Sequence, residues 1–239
     1  MMLLEVAGLR KSFGSIVVAD DLDLAVASGE AVGIIGPNGA GKTSLFNLIS
    51  GELPQDAGVI RFDGRDLAGL APQGRCRAGL GRTRQIPQPF EKLTVFENLL
   101  VGAVYGRAKT EREAASACGE ILDRLGLLKR ANTLAGSLTL LERKRLEMAR
   151  ALATEPRLLL LDEIAGGLTE AECLALVGTI KDVRRTGVAI LWIEHVVHAL
   201  NAVVDRLVVL NFGRKVAEGV PQDVMQLAEV RQIYIGIEA

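Results

Sequence analysis

Neither sign of charge is in excess in this chain. It has 28 Lys and Arg against 29 Asp and Glu, a formal net charge of −1. That balance excludes wholesale electrostatic binding of nucleic acid and leaves room only for a local basic patch. Cysteine is scarce. Cys76, Cys118 and Cys173 are scattered and odd in number, with no metal spacing and no disulfide framework. A reducing cytoplasm is the simple reading. The apolar start is broken at Glu5 and lacks the layout of a signal peptide. No stretch approaches the roughly 18 uncharged apolar residues that a membrane span needs. The sequence therefore predicts a soluble protein that is free to dock on a membrane protein. Internal repeats and low-complexity segments are also missing. What is present is apolar residues, 49% of 239 positions, enough for a sizeable core. The length suits one α/β domain with a subdomain, or at most two small domains.

The most informative stretch is GPNGAGKTS: Gly36, Pro37, Asn38, Gly39, Ala40, Gly41, Lys42, Thr43 and Ser44. It follows a strand-like run at 31–35 and opens a helix-like run at 44–49. The pattern G-x-x-x-x-G-K-[ST] in that setting is a phosphate-binding P-loop. Its glycines let the backbone curl so that successive N–H groups point at one spot. The following helix aims its positive end at the same spot. Lys42 adds a mobile cation for the β- and γ-phosphates, and Thr43 offers a hydroxyl to Mg²⁺.

Around this loop the chain reads as mixed α and β. Alternating runs at 3–9 and 16–27 predict strands joined by a turn at Gly14-Ser15. Residues 58–62 predict another strand, ended by Asp63-Gly64. Residues 72–78 suggest a short helix. From Gln85 the texture changes: Pro87 and Pro89 interrupt, then 95–104 and 111–127 carry helical periodicity. Residues 85–138 read as a helical insertion, with 1–84 and 139–239 as the α/β core of one domain. An amphipathic helix at 141–154 precedes a buried strand at 157–161. Further strands are expected at 188–193 and 207–210 with a helical stretch between them, and a short hairpin at 213–218.

A second chemical element ends the buried strand. The run of leucines at 158–161 leads into Asp162 and Glu163. A carboxylate at that strand end can hold Mg²⁺, and the next can orient or deprotonate an attacking water. Adjacent strand residues point to opposite faces, so the two can do different jobs.

These residues, with Ile193-Glu194-His195 after a late strand, resemble the nucleotide-binding domain of ABC transporters over nearly the whole chain. The resemblance implies a P-loop NTPase with a RecA-like core, an antiparallel β subdomain and a helical insertion. It implies ATP and Mg²⁺ as cofactors and hydrolysis as the activity. It adds Phe13 as the aromatic that stacks on adenine. Gln85 becomes the glutamine that reaches Mg²⁺ and the attacking water, and His195 the histidine that contacts the γ-phosphate. His198 reads as a surface helix residue. Within the family the chain looks most like ATPases of branched-chain amino-acid importers. The supporting pieces are Arg82 to Gln85, Thr94 to Leu100, Ala165 to Leu168 and Ile233 to Gly236. Lipopolysaccharide-export ATPases look similar and stand as the alternative. The implied partners are a second ATPase subunit, integral membrane permeases and, indirectly, a solute-binding protein, with no nucleic acid. The implied location is the cytoplasm, peripheral on the inner face of the cell membrane. A non-transport ABC ATPase of DNA repair or translation, or a weak regulatory nucleotide binder, are the other readings. The first commonly carries tandem domains, long coiled coils or basic linkers, none of which is visible.

The resemblance breaks at one segment. Where the family has LSGGQ, this chain has Leu138-Thr139-Leu140-Leu141-Glu142. Thr139 keeps a hydroxyl that can cap the helix or contact nucleotide. Leu141 replaces the second glycine and Glu142 replaces Gln. Ile164 and Thr169 also depart from the family pattern after Glu163. In the family this segment closes over the ATP of the other subunit. The departures imply pairing with a different ATPase carrying a fuller signature, or else a working variant of this branch.

Overall fold

The computed structural model describes residues 1–107 and 110–235. The elements follow in chain order. The strands β1 (Met2–Phe13), β2 (Ile16–Ala27) and β3 (Ala31–Ile35) lead into α1 (Lys42–Ser50). Then come β4 (Ala57–Phe62), β5 (Arg65–Asp66), α2 (Pro72–Ala78), β6 (Leu80–Arg82), α3 (Val95–Arg107), α4 (Glu111–Arg124) and α5 (Leu140–Ala153). The later part holds β7 (Leu158–Asp162), α6 (Glu170–Arg184), β8 (Ala189–Ile193), α7 (Val197–Asn201), β9 (Arg206–Asn211), β10 (Arg214–Gly219), α8 (Pro221–Val224) and α9 (Ala228–Ile235).

Two sheets result. One runs β10-β9-β3-β8-β7-β6, parallel except for β10 on its edge. The other, β2-β1-β4-β5, is antiparallel throughout. Every residue of β3, β7 and β8 is buried, as parallel strands covered on both faces must be. Their alternate residues divide between two cores. Ile34, Leu158, Leu160, Leu191 and Ile193 face α1 and the antiparallel sheet. Leu159, Leu161, Ile190 and Trp192 face the other way, into one apolar cluster with residues of α3, α4, α5 and α6.

The layers set the site. Strands β3, β7 and β8 all end on one edge of the parallel sheet, where ligands of open α/β sheets bind. Gly36, Glu163 and Glu194 lie just past those ends. The strand expected at 16–27, the turn at Gly14 and, to within one residue, the strand expected at 58–62 are found, while the first strand, expected at 3–9, runs on to Phe13. Several details differ, among them the whole of α6, which apolar periodicity did not announce. Residues 80–82 form the edge strand β6, too short and too polar to announce itself. Residues 213–218 are not a hairpin of their own. Gly213 belongs to a turn with Phe212, and the residues after it form β10, which pairs back on β9. The helix expected over 111–127 stops at Arg124, and Gly126 takes a φ of 68°.

Candidate nucleotide site

The loop between β3 and α1 is shaped by what a side chain would strike. A Cβ on Gly36 would sit 2.2 Å from the Leu210 carbonyl oxygen. One on Gly41 would sit 2.3 Å from that of Val18, and Gly41 also has a φ of 98°. Only glycine fits both. Gly41 then starts α1 without any side-chain cap, and the first turn holds no acidic residue. The leading N–H groups of α1 thus keep their positive end for an external anion.

Lys42 departs from the expected mobile cation. It is 5% exposed, and its Nζ donates to the carbonyls of Gly36 at 2.7 Å and Pro37 at 2.9 Å. Burial pushes its pKa down, while Glu163 and Asp162 pull it up. The ammonium is fixed inside its own loop. Thr43 and Asn38 are exposed, and Asn38 to Ser44 line one cleft together with Glu163, Ile16 and Val18. Phe13 is 51% exposed and pairs in register with Ile16 across the hairpin. It therefore lies outside the core, paired across the hairpin with Ile16, which lines the cleft. Ile16 and Val18 were not named by the sequence reading; two β-branched residues in an alternating strand give no separate signal.

The carboxylates behave differently from each other. Asp162 is 3% exposed, and Arg82 on β6 donates to its Oδ2 at 3.1 Å. Arg82 also reaches Asn47 and Ser50 on α1. Burial raises the Asp162 pKa, and the Arg82 guanidinium works against that. Its other oxygen, Oδ1, is buried and has no hydrogen-bond partner among the described residues. Glu163 has a φ of 45°. A left-handed non-glycine backbone costs on the order of 1 kcal/mol and clusters at functional sites.

On Glu163 the expected catalytic residues meet. Gln85 Nε2 donates to Oε2 at 2.5 Å, and His195 Nε2 lies 2.7 Å from Oε1. Residues far apart in sequence thus hold both oxygens of one carboxylate. His195 is exposed, as is His198. Glu194, 1% exposed, accepts from the N–H groups of Ala165 at 3.0 Å and His195 at 3.1 Å. Burial raises its pKa, against those N–H groups. Thr139 stands apart from this group. It caps α5, its hydroxyl accepting from Glu142 N at 3.3 Å while Glu142 Oε2 accepts from Thr139 N at 2.9 Å. Sequence reasoning missed Arg82, Lys144 and Glu194 as parts of the site, because each acts through contacts between distant segments.

Comparison with known proteins identifies the family. The family pattern described as ABC transporter matches residues 19–166, more than half of the chain. The chain belongs to the ABC transporter ATPase family. This ABC ATPase is 36% identical to the high-affinity branched-chain amino acid transport ATP-binding protein BraF of Pseudomonas aeruginosa, over 98% of each chain. The same identity and coverage relate it to LivG of Escherichia coli K12, named for the same transport. It is 34% identical to the lipopolysaccharide export ATP-binding protein LptB of Haemophilus influenzae, over 99% of this chain and 98% of that one. A crystal structure of the ADP conformation of an ABC transporter cassette superposes with a TM-score of 0.91 at 31% identity, covering 99% of both. A nucleotide-free cassette also gives 0.91, at 30% identity, covering 99% of this chain and 100% of that one. This chain is an ATPase with the P-loop ABC fold. Among the described residues no helix is long and apolar enough to cross a membrane. Of the residues matching the importer branch, Gly236 lies outside the described residues.

Proposed function

We propose that this ABC ATPase powers uptake of branched-chain amino acids or related small solutes, hydrolysing ATP at the cleft between Asn38–Ser44 and Glu163. The observation that supports this most is the convergence of Gln85 and His195 on the two oxygens of Glu163. A water placed there loses its proton to the Glu163 carboxylate as its oxygen attacks the γ-phosphorus. The bond to ADP breaks, giving ADP and phosphate. Gln85 and His195 hold the carboxylate in place. Lys42 and the first N–H groups of α1 stabilise charge on the phosphates. Phe13 and Ile16 offer apolar surface to the adenine ring.

The residues fit Mg²⁺. Asp162 Oδ1 is a buried oxygen without a partner, and Thr43 and Gln85 add neutral oxygens. Among the described residues no cluster of three or more His, Cys, Asp or Glu offers a protein-only cage. Asp162, Thr43 and Gln85 are the residues that would hold the ion, with oxygen donors of the kind Mg²⁺ takes. Bound there, it neutralises phosphate charge.

Work is passed to a membrane permease docked on the face where residues 85–138, acting as a helical unit, meet the core. A groove there is lined by Arg75, Arg82, Phe90, Glu147 and Arg150, with the Arg150 guanidinium 5.0 Å from the Phe90 ring centre. Phe90 is 46% exposed and the nearby Ile86 73% exposed. In the assembly the chain sits at the inner face of the cell membrane. Its ATPase partner is a different subunit with a glycine-rich signature. Leu140, 42% exposed, and Leu141 stand on this chain where close backbone approach is needed. Lipopolysaccharide export is the second reading, favoured by the 34% identity to LptB.

Two measurements test the proposal. Glu163→Gln in the assembled complex retains ATP and loses turnover by about 100-fold or more. Wild-type phosphate release from that variant overturns the site. For the partner, the chain alone shows little ATPase and the mixed complex is strongly active. Cooperative turnover by the chain alone removes the need for a second subunit type.

A further inference from the structure

Lys144 is a buried cation that the hydrolytic scheme leaves without a task. It lies on the first turns of α5 and is 4% exposed. Its Nζ donates to the carbonyl oxygen of Gln85 at 2.9 Å and to that of Glu163 at 3.4 Å. These two residues are 78 positions apart, and their side chains are hydrogen-bonded to each other. Lys144 therefore grips from behind, through the backbone, the same pair that meets at the front. The charges around it are Glu194, Glu163 and Glu147, which favour the ammonium while burial disfavours it. Glu194 in turn holds the N–H groups of Ala165 and His195. Four segments thus meet at one ammonium: α5, the loop after β6, the end of β7 and the end of β8. Leu140, one turn earlier on α5, leans on the segment after β7, its Cδ2 3.4 Å from where a Gly167 Cβ would stand.

We propose that Lys144 is a positioning residue that fixes Gln85 and Glu163 relative to α5, so that the hydrolytic geometry follows the position of that helix. The Gln85 carbonyl accepts from the Lys144 Nζ at 2.9 Å, while the Glu163 carbonyl accepts from it at 3.4 Å and from Gly166 N at 3.2 Å, so a side chain without N–H groups takes a charged donor from Gln85 and one of two donors from Glu163. A part-buried carbonyl that loses a charged donor has to find another, so the Gln85 loop shifts relative to α5 and to Glu163. Glu163 already has a left-handed φ, a conformation that persists only when neighbours over-determine it. A displacement of about 1 Å at a catalytic group is enough to cost on the order of 100-fold in rate. The phosphate cradle is built from a separate loop that Lys144 does not touch, so nucleotide affinity stays as it is.

The inference rests on the assignment of Glu163 and Gln85 as hydrolytic residues, and the experiment separates the two. In the assembled complex, Lys144→Met lowers kcat by about 10- to 100-fold while KM for ATP moves by less than about twofold. Lys144→Arg, which still donates, recovers most of the rate. In a Gln85→Ala background the Lys144→Met loss shrinks to less than about threefold, because the Gln85 side chain, the one of the pair that leans mainly on Lys144, is gone while Glu163 keeps the Gly166 N–H. A loss that multiplies fully with that of Gln85→Ala, or an effect on KM alone, overturns the inference, as does an unchanged kcat in Lys144→Met. Glu163→Gln run alongside reports on the parent assignment: abolished turnover there with an unaffected Lys144→Met rejects the role of Lys144 only. Melting temperatures of all variants show whether the fold survives, and the Arg variant keeps the test decisive if Met does not.

Discussion

The molecule begins two helices in opposite ways. Helix α1 starts at a left-handed glycine, with no side-chain cap and no acidic residue in its first turn. Helix α5 starts with a complete capping box. Thr139 and Glu142 satisfy each other's N–H groups, and Arg130 Nε donates to Glu142 Oε1 at 2.8 Å. The same helix physics gives both ends a partial positive charge. At α1 that charge is left for a ligand. At α5 a carboxylate of the chain itself lies on it. Burial raises the pKa of that carboxyl, but the Thr139 N–H and Arg130 outweigh it and leave it lowered, so Glu142 is an anion at neutral pH. A nucleotide site needs the first kind of helix start, and a stable helical layer needs the second. The sequence segment 138–142 starts its helix in the second way.

Removing the cation from the open end breaks the comparison most severely. Lys42→Met should weaken ATP binding by about 100-fold, the worth of a charge-assisted hydrogen bond to phosphate. Titration of a fluorescent ATP analogue checks this. Unchanged affinity means that the N–H groups of α1 hold the phosphates without help, and that the inward-folded Lys42 is structural.

The closed end should respond in the other currency, stability. Thr139→Ala removes the acceptor for Glu142 N and should cost about 1 kcal/mol in a urea unfolding curve. Nucleotide affinity of the isolated chain should not move. If affinity falls with stability, α5 faces the phosphates of its own chain and the contrast with α1 fails. In the mixed complex the same substitution should also lower turnover if Thr139 meets the partner's nucleotide.

How much of this was legible depended on whether the signal was local. Gly36 to Ser44 and Leu158 to Glu163 are contiguous, and each carries its chemistry in the order of its residues. The layered core could be read because β3, β7 and β8 are apolar without interruption, as buried parallel strands are. One local signal went unused. The pattern Thr-x-x-Glu opens α3, α4, α5 and α6, at Thr94, Thr110, Thr139 and Thr169. It places the start of α6, which apolar periodicity alone did not. It also gives Thr169 a plain task as a helix cap. What could not be read was contact between distant segments. Arg82 reaches Asp162 across 80 positions, and Lys144 reaches Gln85 across 59. Each looks like an ordinary surface charge until the sheet order puts β6 beside β7 and lays α5 over them.

Two buried carboxylates sharpen the contrast further, with the smallest expected effect. Asp162 has a guanidinium on one oxygen, whereas Glu194 has two backbone N–H groups. Burial raises the Glu194 pKa above its ordinary 4.5. Between 4.5 and the raised value, the folded chain keeps a proton that the unfolded chain has released. Stability must therefore fall as pH rises through that window, by linkage. Gln cannot titrate there. Glu194→Gln gives up one acceptor, a loss that does not vary with pH, and removes the falling component. The melting temperature of the variant minus that of the wild type should thus become more positive from pH 4.5 to pH 8. A difference that stays flat across that range shows that the N–H groups of Ala165 and His195, with Lys144 nearby, hold Glu194 ionised as firmly as water does.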